Sequence, residues 1–297
     1  MIYQHPLAYL IGVEGAALLR GWAGEYDREV VEARLAEVRR LLNNAELVNH
    51  PGVEVRRRDI ESGYRDWSAT YDDGRNSLFD YDEPCVFGIV DQLPVGTALD
   101  AACGTGRYAA HLAAAGHQLI GVDASPEMLA RARTRVPGAD FRHGDVRHLP
   151  VGNDEVDLVV AGLALTHVPD LDPVLAEFAR VLRPGGHVVI ADVHADLIKL
   201  GSVPVAIGRD GEPGLTAAYP HETGDYIRAA LRAGLQVRGC EETRLVGTNP
   251  QRPAQPDASV KPWETWPWTL MDMVPAAVRS FSGPGGVRQT IIWHFQL

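Results

Sequence analysis

The chain has 297 residues, of which 45% are hydrophobic and 23% charged, and a formal net charge of -11. Those are ordinary globular values, enough for one large domain or a domain with a substantial appendage. The acidic balance argues against nucleic acid or an anionic membrane as partner, because phosphate arrays are held by clustered Lys and Arg; it favours a small or neutral substrate. Lys199 and Lys261 are the only lysines among 28 basic residues, a bias that fits a GC-rich bacterial source. Cys85, Cys103 and Cys240 are far apart and odd in number, which suits a reducing cytoplasm and indicates neither a disulfide framework nor a Cys-x-x-Cys metal site.

The N-terminus lacks the basic segment and cleavage pattern of a signal peptide. Its apolar run over residues 7–19 carries Glu14 and is shorter than the roughly 20 residues that span a bilayer, so a buried helix is expected there. Residues 7–20 and 25–43 read as two helices; in the second, Val31, Leu35, Val38 and Leu42 recur at helical spacing. Residues 49–59, "NHPGVEVRRRD", read as a connector. Residues 1–60 are thus expected to be a helical extension serving as a cap or a homodimer surface.

From residue 97 short apolar strands alternate with helices, the signature of parallel βαβ units. The strands are "TALDAA", "QLIGVD", "DFRHGD", "VDLVVAGLAL" and "HVVIADV". Ser125 with Pro126 behind it is a strong helix start; another helix opens at Asp172-Pro173 and ends in the turn "RPGG". The alternation then breaks. Residues 203–219 read as a hairpin around Asp210-Gly211, "TGDYIRAALRAG" as a helix capped by Thr223, and "LQVRGCEETRLV" and "RQTIIWHFQL" as two last strands, with a Pro-rich loop and a short helix between them.

The chemistry centres on "LDAACGTGRYAAHLA". Gly104-x-Gly106-x-x-Ala109, followed by Asp123 at the end of the next strand, satisfies the loose dinucleotide fingerprint. Asp123 suits the ribose of NAD or of S-adenosylmethionine equally. Asp100, four residues before Gly104, tips the balance: beside a pyrophosphate it would repel, whereas S-adenosylmethionine has no phosphate and brings an ammonium and a sulfonium.

The loop together with "GVDASPEMLARAR", "FRHGDVRHLP" and "VDLVVAGLALTHVPDLDPVLAEFARVLRPGGHVVIAD" resembles the successive motifs of class I S-adenosylmethionine-dependent methyltransferases, in the small-molecule branch that includes ubiquinone and menaquinone biosynthesis enzymes. The likeness covers about residues 60–195. It departs at Ala102-Cys103, where the family usually has Gly-Cys. The resemblance implies an α/β, Rossmann-like, seven-stranded mostly parallel sheet with helices on both faces and one antiparallel strand in the final pair. The methyltransferase domain would span 61–297, with lid insertions at about 195–221 and 247–284. It also implies that Asp100, Ala102, Gly104 and Gly106 border the methionine part of S-adenosylmethionine, that Asp123 holds the ribose, and that Ala124 and Met128 line the adenine. Asp145 with the Val146 backbone would meet the adenine amino edge, Leu163 the sulfonium, and Tyr64 and Tyr71 would belong to a segment folding over the cofactor.

The implied reaction is methyl transfer to an O, N or C nucleophile of a small apolar or aromatic metabolite, releasing S-adenosylhomocysteine. A non-methylating reaction on the same fold, such as decarboxylation or cyclisation, and non-catalytic binding stay open. His167 in "LALTHVPD" sits where the reacting atoms are expected; it is a general base or a pocket-shaping spectator. Tyr64, Trp67 and Tyr71 could equally be aromatic core. Trp263, Trp266 and Trp268, with Met271 and Met273, could roof the substrate or simply pack an insertion. His143, His148, His187, His194 and His221 lack ligand spacing, so no metal site is expected.

Overall fold

A computed structural model describes residues 1–59, 76–203, 205–207, 211–244, 260, 262–281 and 286–297. The chain forms two compact units: a larger one of Asp59–Ala195, Ala218–Thr243 and Gln289–Leu297, and a smaller one of Met1–Arg58, Asp196–Ala217 and Arg244–Arg288. Elements are numbered along the whole chain.

The larger unit is built on a seven-stranded sheet of order β10-β11-β7-β6-β3-β4-β5. Its strands are β3 (Thr97–Ala101), β4 (Gln118–Asp123), β5 (Asp140–His143), β6 (Val156–Gly162), β7 (Leu182–Val193), β10 (Gln236–Arg244) and β11 (Arg288–Gln296). Pairs from β5 to β7 are parallel, and β11 runs antiparallel to β7 with Trp293 opposite Ile190. Alternate residues of the central strands point to opposite faces, and both sets are apolar. Leu99, Ala101, Val159, Ala161, Val188 and Ile190 bury into one core, while Ala98, Leu158, Val160, Val189 and Ala191 bury into the other. A sheet without a polar face must be covered on both sides by helices.

On the first face lie α7 (Asp172–Val181), through Val174 and Phe178, and α9 (Thr223–Arg232), through Tyr226 and Ala229. On the second lie α4 (Phe79–Val90), α5 (Arg107–Ala114) and α6 (Pro126–Arg135). Helix α6 begins where the sequence requires, with Ser125 Oγ accepting from the Met128 amide at 3.2 Å and Pro126 in the first turn. Helix α9 is capped by Glu222 rather than Thr223, and Asp225 accepts from the Glu222 amide at 2.9 Å.

In the smaller unit a second sheet has the order β1-β2-β9-β8, from β1 (Ile2–Gln4), β2 (Val53–Arg58), β8 (Val205–Ile207) and β9 (Pro213–Thr216). The expected hairpin appears as the antiparallel pair β8 and β9; the residues around its tip, 208–210, lie outside the described ones. Helices α1 (Pro6–Trp22) and α2 (Arg28–Leu42) take the places of the two expected helices, α2 starting after Asp27, which accepts from the Val30 amide at 3.0 Å. Helix α1 packs against α2 and against α11 (Pro275–Phe281).

Residues 1–60 are not purely helical: the supposed connector is β2, antiparallel to β1 and parallel to β9. In "VEVRRR", Val53 and Val55 alternate with charged residues and Val55 is fully buried, a period-2 signal that the run of arginines obscures. The N-terminal segment and the two insertions thus share one unit, which 61–297 taken as a continuous domain does not describe.

Glu14, on α1, is fully buried. Its Oε1 accepts from Arg34 Nη1 at 2.9 Å, and its Oε2 meets no donor among the described residues. Burial pushes its carboxyl up to about 7, against the opposing pull of Arg34. The folded chain then holds a proton that the unfolded chain releases near its ordinary value of 4.5. The associated stability is complete below that value and is lost as pH rises through about 7. Glu14→Gln, which keeps an acceptor for Arg34, should therefore gain stability relative to wild type between pH 5 and 8, by on the order of 1–3 kcal/mol. Denaturant titrations of both proteins across that range measure it; a difference that does not change with pH would show that Glu14 titrates normally.

Candidate functional site

The site forms at the C-terminal ends of β3, β4 and β6, where the chain leaves the sheet. After β3 the backbone turns through left-handed conformations at Ala102 (φ 56°), Gly104 (φ 53°) and Gly106 (φ 83°). The turn is fixed by Cys103 N–H donating to Val122 O at 2.9 Å and Gly106 N–H to Cys103 O at 2.8 Å. The two glycines serve different ends. A Cβ on Gly106 would stand 3.2 Å from Ala132 Cβ, so this glycine lets α5 approach α6, whereas a Cβ on Gly104 would meet nothing within 4 Å. Gly104 thus presents bare backbone to open space.

That space is a cavity of about 340 Å³, within the range of small-molecule sites. Ala102, Gly104, Asp123, Ala124, Met128, Asp145, Val146, Leu163 and His167 all border it. Asp123 closes β4 with Oδ2 accepting from Gly104 N–H and Oδ1 from Ser125 N–H, both at 2.8 Å. Burial raises its pKa and these amides oppose the rise. A carboxylate has about four acceptor positions; with two taken by amides, two are left for a vicinal diol such as a ribose.

Asp100 and Gly106 do not border the cavity. Asp100 is buried beneath the loop, where Oδ2 accepts from Ala109 N–H at 2.9 Å and burial raises its carboxyl to about 7. It bonds the first turn of α5 instead of facing the methionine part of a ligand, so, contrary to the expectation from its spacing, its charge is not presented to a cation in the cavity. Asp145 borders the cavity but is already engaged: Oδ1 accepts from Arg147 N–H at 2.8 Å and Nε at 2.9 Å, and Oδ2 from Nη2. The Arg147 guanidinium holds its carboxyl below the usual range, and an adenine amino group would have to share it. Tyr64, Trp67 and Tyr71 lie outside the described residues.

His167 sits in a 3-10 turn, Leu165–His167, on the cavity wall, and is buried. The turn is held from several sides. Tyr219 N–H donates to Thr166 O at 2.7 Å, and His221 Nε2 lies 2.8 Å from Val168 O and 3.2 Å from Leu165 O, which makes that nitrogen the protonated one. Beneath it, buried Asp192 accepts from Tyr226 OH at 2.7 Å and from the Thr166 and Val193 amides, and burial raises its carboxyl to about 6. Leu163, at φ 53°, donates its amide to Ala191 O at 2.8 Å, so a strained non-glycine residue is pinned at the cavity edge.

Arg147, Gly162, Val168 and Pro169 also border the cavity, and sequence reasoning missed them. Their only signal was adjacency to the expected residues. Gly162 has a visible reason: a Cβ there would collide with the Tyr108 ring at 2.3 Å. Several other histidines bond within the protein: His143 Nε2 to Ala124 O at 3.0 Å, His194 Nε2 to Glu242 Oε1 at 3.1 Å and His187 Nδ1 to His294 Nε2 at 3.0 Å. Among the described residues no group of three or more His, Cys, Asp or Glu side chains could hold a metal ion. Burial drives the Cys103 thiol far above its ordinary value, which removes it as a nucleophile. Trp263, Trp266, Trp268, Met271 and Met273 belong to the smaller unit and do not line this cavity.

Residues 99–190 match the family described as "Methyltransferase domain". The chain is 28% identical to an uncharacterized methyltransferase of Emericella nidulans, over 73% of this chain and 91% of that one. It is 38% identical to malonyl-[acyl-carrier protein] O-methyltransferase of Yersinia pestis, over 31% of this chain and 35% of that one. Its length therefore matches nearly the whole of the first relative and about a third of the second. Among solved structures, a methyltransferase in complex with the Haloferax volcanii Trm112 activator shares the fold, with a TM-score of 0.53 at 22% identity over 80% of this chain and 98% of that one.

If Asp123 receives the ribose, Asp123→Ala removes charge-assisted bonds and loosens Gly104, and should weaken S-adenosylhomocysteine binding by about 10- to 100-fold. Titration calorimetry measures this; wild-type affinity in the variant would remove Asp123 from the ligand set.

Proposed function

Since the chain belongs to the class I S-adenosylmethionine-dependent methyltransferases, we propose that it methylates an oxygen, nitrogen or carbon nucleophile of a small, neutral, apolar or aromatic metabolite in the cytoplasm. The observation that supports this reading is that His167 and the Asp123 clamp line one cavity, together with Leu163, Ala164, Val168 and Pro169. The described residues contain no helix long and apolar enough to cross a membrane, and the charge of -11 disfavours polyanionic acceptors.

Backbone approach at Gly104 and the two remaining acceptor positions of Asp123 fit S-adenosylmethionine, with Ala124 and Met128 flanking the base. Bound there, it supplies an electrophilic methyl group on a sulfonium that leaves as a neutral thioether. The chain's own contribution is alignment, exclusion of water by the apolar wall, and a base. In an acceptor with an O–H or N–H, the proton passes to a His167 ring nitrogen as the new bond to carbon forms.

His167→Ala should lower turnover by about 10²- to 10⁴-fold while S-adenosylhomocysteine affinity stays near wild type. Labelled methyl transfer into a fractionated small-molecule extract of the source organism provides the assay. Near-normal turnover in the variant would make His167 a spectator. Turnover without loss of the methyl, or binding without turnover, would overturn the methylation reading itself.

A further inference from the structure

We propose that the smaller unit contains a second ligand site, separate from the methyl-transfer cavity, which takes a neutral planar molecule of one or two fused rings. The site is a cavity of about 230 Å³ built wholly within that unit. Its walls come from three separate stretches of chain: β1 and the start of α1; Gly201, Val203, Val205 and Leu215; and Trp266, Pro267 and Leu270. The proposal rests on this cavity alone and is independent of the acceptor assigned above.

The size suits a small ring system. Native cores leave few voids larger than a water molecule, and an apolar cavity of about 150 Å³ is already enough to admit benzene. A space half as large again suits one or two rings. Left empty, it forfeits the contacts its lining could make.

The lining decides the chemistry. Among the described residues no Asp, Glu, Lys or Arg borders the cavity. Its polar side chains are turned to the protein. Tyr9 OH donates to Leu200 O at 2.7 Å, Tyr3 OH donates to Pro51 O at 3.0 Å, His5 Nε2 bonds His50 O at 3.0 Å, and Gln4 Oε1 accepts from Trp263 Nε1 at 2.6 Å. Burial drives the Tyr9 hydroxyl far above its ordinary value, so it stays neutral. The apolar share of the lining, the larger one, comes from the rings of Tyr3, Tyr9 and Trp266 and the aliphatic surfaces of Leu215 and Leu270. A charged ligand would lose its hydration without gaining a partner, whereas a flat neutral one would meet ring faces and edges.

The probe is 2-naphthol, with naphthalene-2-sulfonate as its charged counterpart, followed by calorimetry and ligand-observed NMR on the full chain. Naphthol should bind one-to-one, with the same stoichiometry when S-adenosylhomocysteine is saturating, and the sulfonate should bind at least about tenfold more weakly. Val203→Trp and Ala8→Phe fill the cavity from two different walls. In whichever variant keeps the wild-type circular dichroism and S-adenosylhomocysteine affinity, naphthol binding should fall at least about tenfold. Competition between naphthol and S-adenosylhomocysteine would place the probe in the other cavity. That result, equal binding of the sulfonate, no naphthol binding by wild type, or undiminished binding in a folded filling variant would each overturn the proposal.

Discussion

The carboxylate of Asp123 takes one amide from each of two chain segments, Gly104 in the loop after β3 and Ser125 at the head of α6, and the site depends on that clamp. Apolar packing buries Cys103 and Met128 beside the cavity but does not fix the direction of the Gly104 and Ser125 amides. A buried acid with two amide donors supplies the missing restraint, since leaving either amide or the carboxylate unpaired would cost more than the bonds themselves contribute. The clamp also gathers the backbone of Gly104 and the carboxylate at one edge of the cavity. The same two bonds that fix the loop therefore orient the acceptor positions left for a ligand.

Asp100 and Asp123 look alike in the sequence, each closing a strand next to a turn. The structure separates them by what lies behind each carboxylate. Asp100 is the penultimate residue of β3, the strand from which the chain turns back into α5, and its side chain meets the Ala109 amide in the first turn of that helix. Asp123 ends β4, one strand over, and its carboxylate meets the loop at the Gly104 amide while still bordering the cavity. Direction is not encoded in spacing along the chain, which is why charge reasoning chose a role for Asp100 that burial does not permit. The cofactor assignment survives because it rests on the ordered series of motifs and on the family match over residues 99–190.

The larger unit was legible for the same reason it is stable. Fully buried parallel strands read as short uninterrupted apolar runs, and "LVVAG" or "HVVIAD" has few other interpretations. The sheet, most of its helices and nine cavity-lining residues followed. Helix α4 did not, because Pro84 and four acidic or small interruptions blur its period; its Asp82 is buried and bonds both Arg107 Nη2 and Tyr108 OH at 2.7 Å, a tertiary contact that no local pattern announces. Strand β2 was hidden by its arginines. Both misses involve charged residues whose partners are distant in sequence, so the information was present in the chain but not within any window along it.

The turn that carries His167 shows how the fold converts such distant partners into reactivity. Three residues of 3-10 helix cannot hold a side chain steady by themselves. Here the turn's carbonyls are taken by Tyr219 and His221, and its Thr166 amide by Asp192, all from segments after β6. Tyr226 closes the network by bonding Asp192 from α9 while its ring packs into the core near Trp293. A base must reach its proton within hydrogen-bond distance and in a fixed direction, and this connection through α9 and β7 ties the position of His167 to the hydrophobic core. Precision at the cavity wall thus derives from burial well away from it.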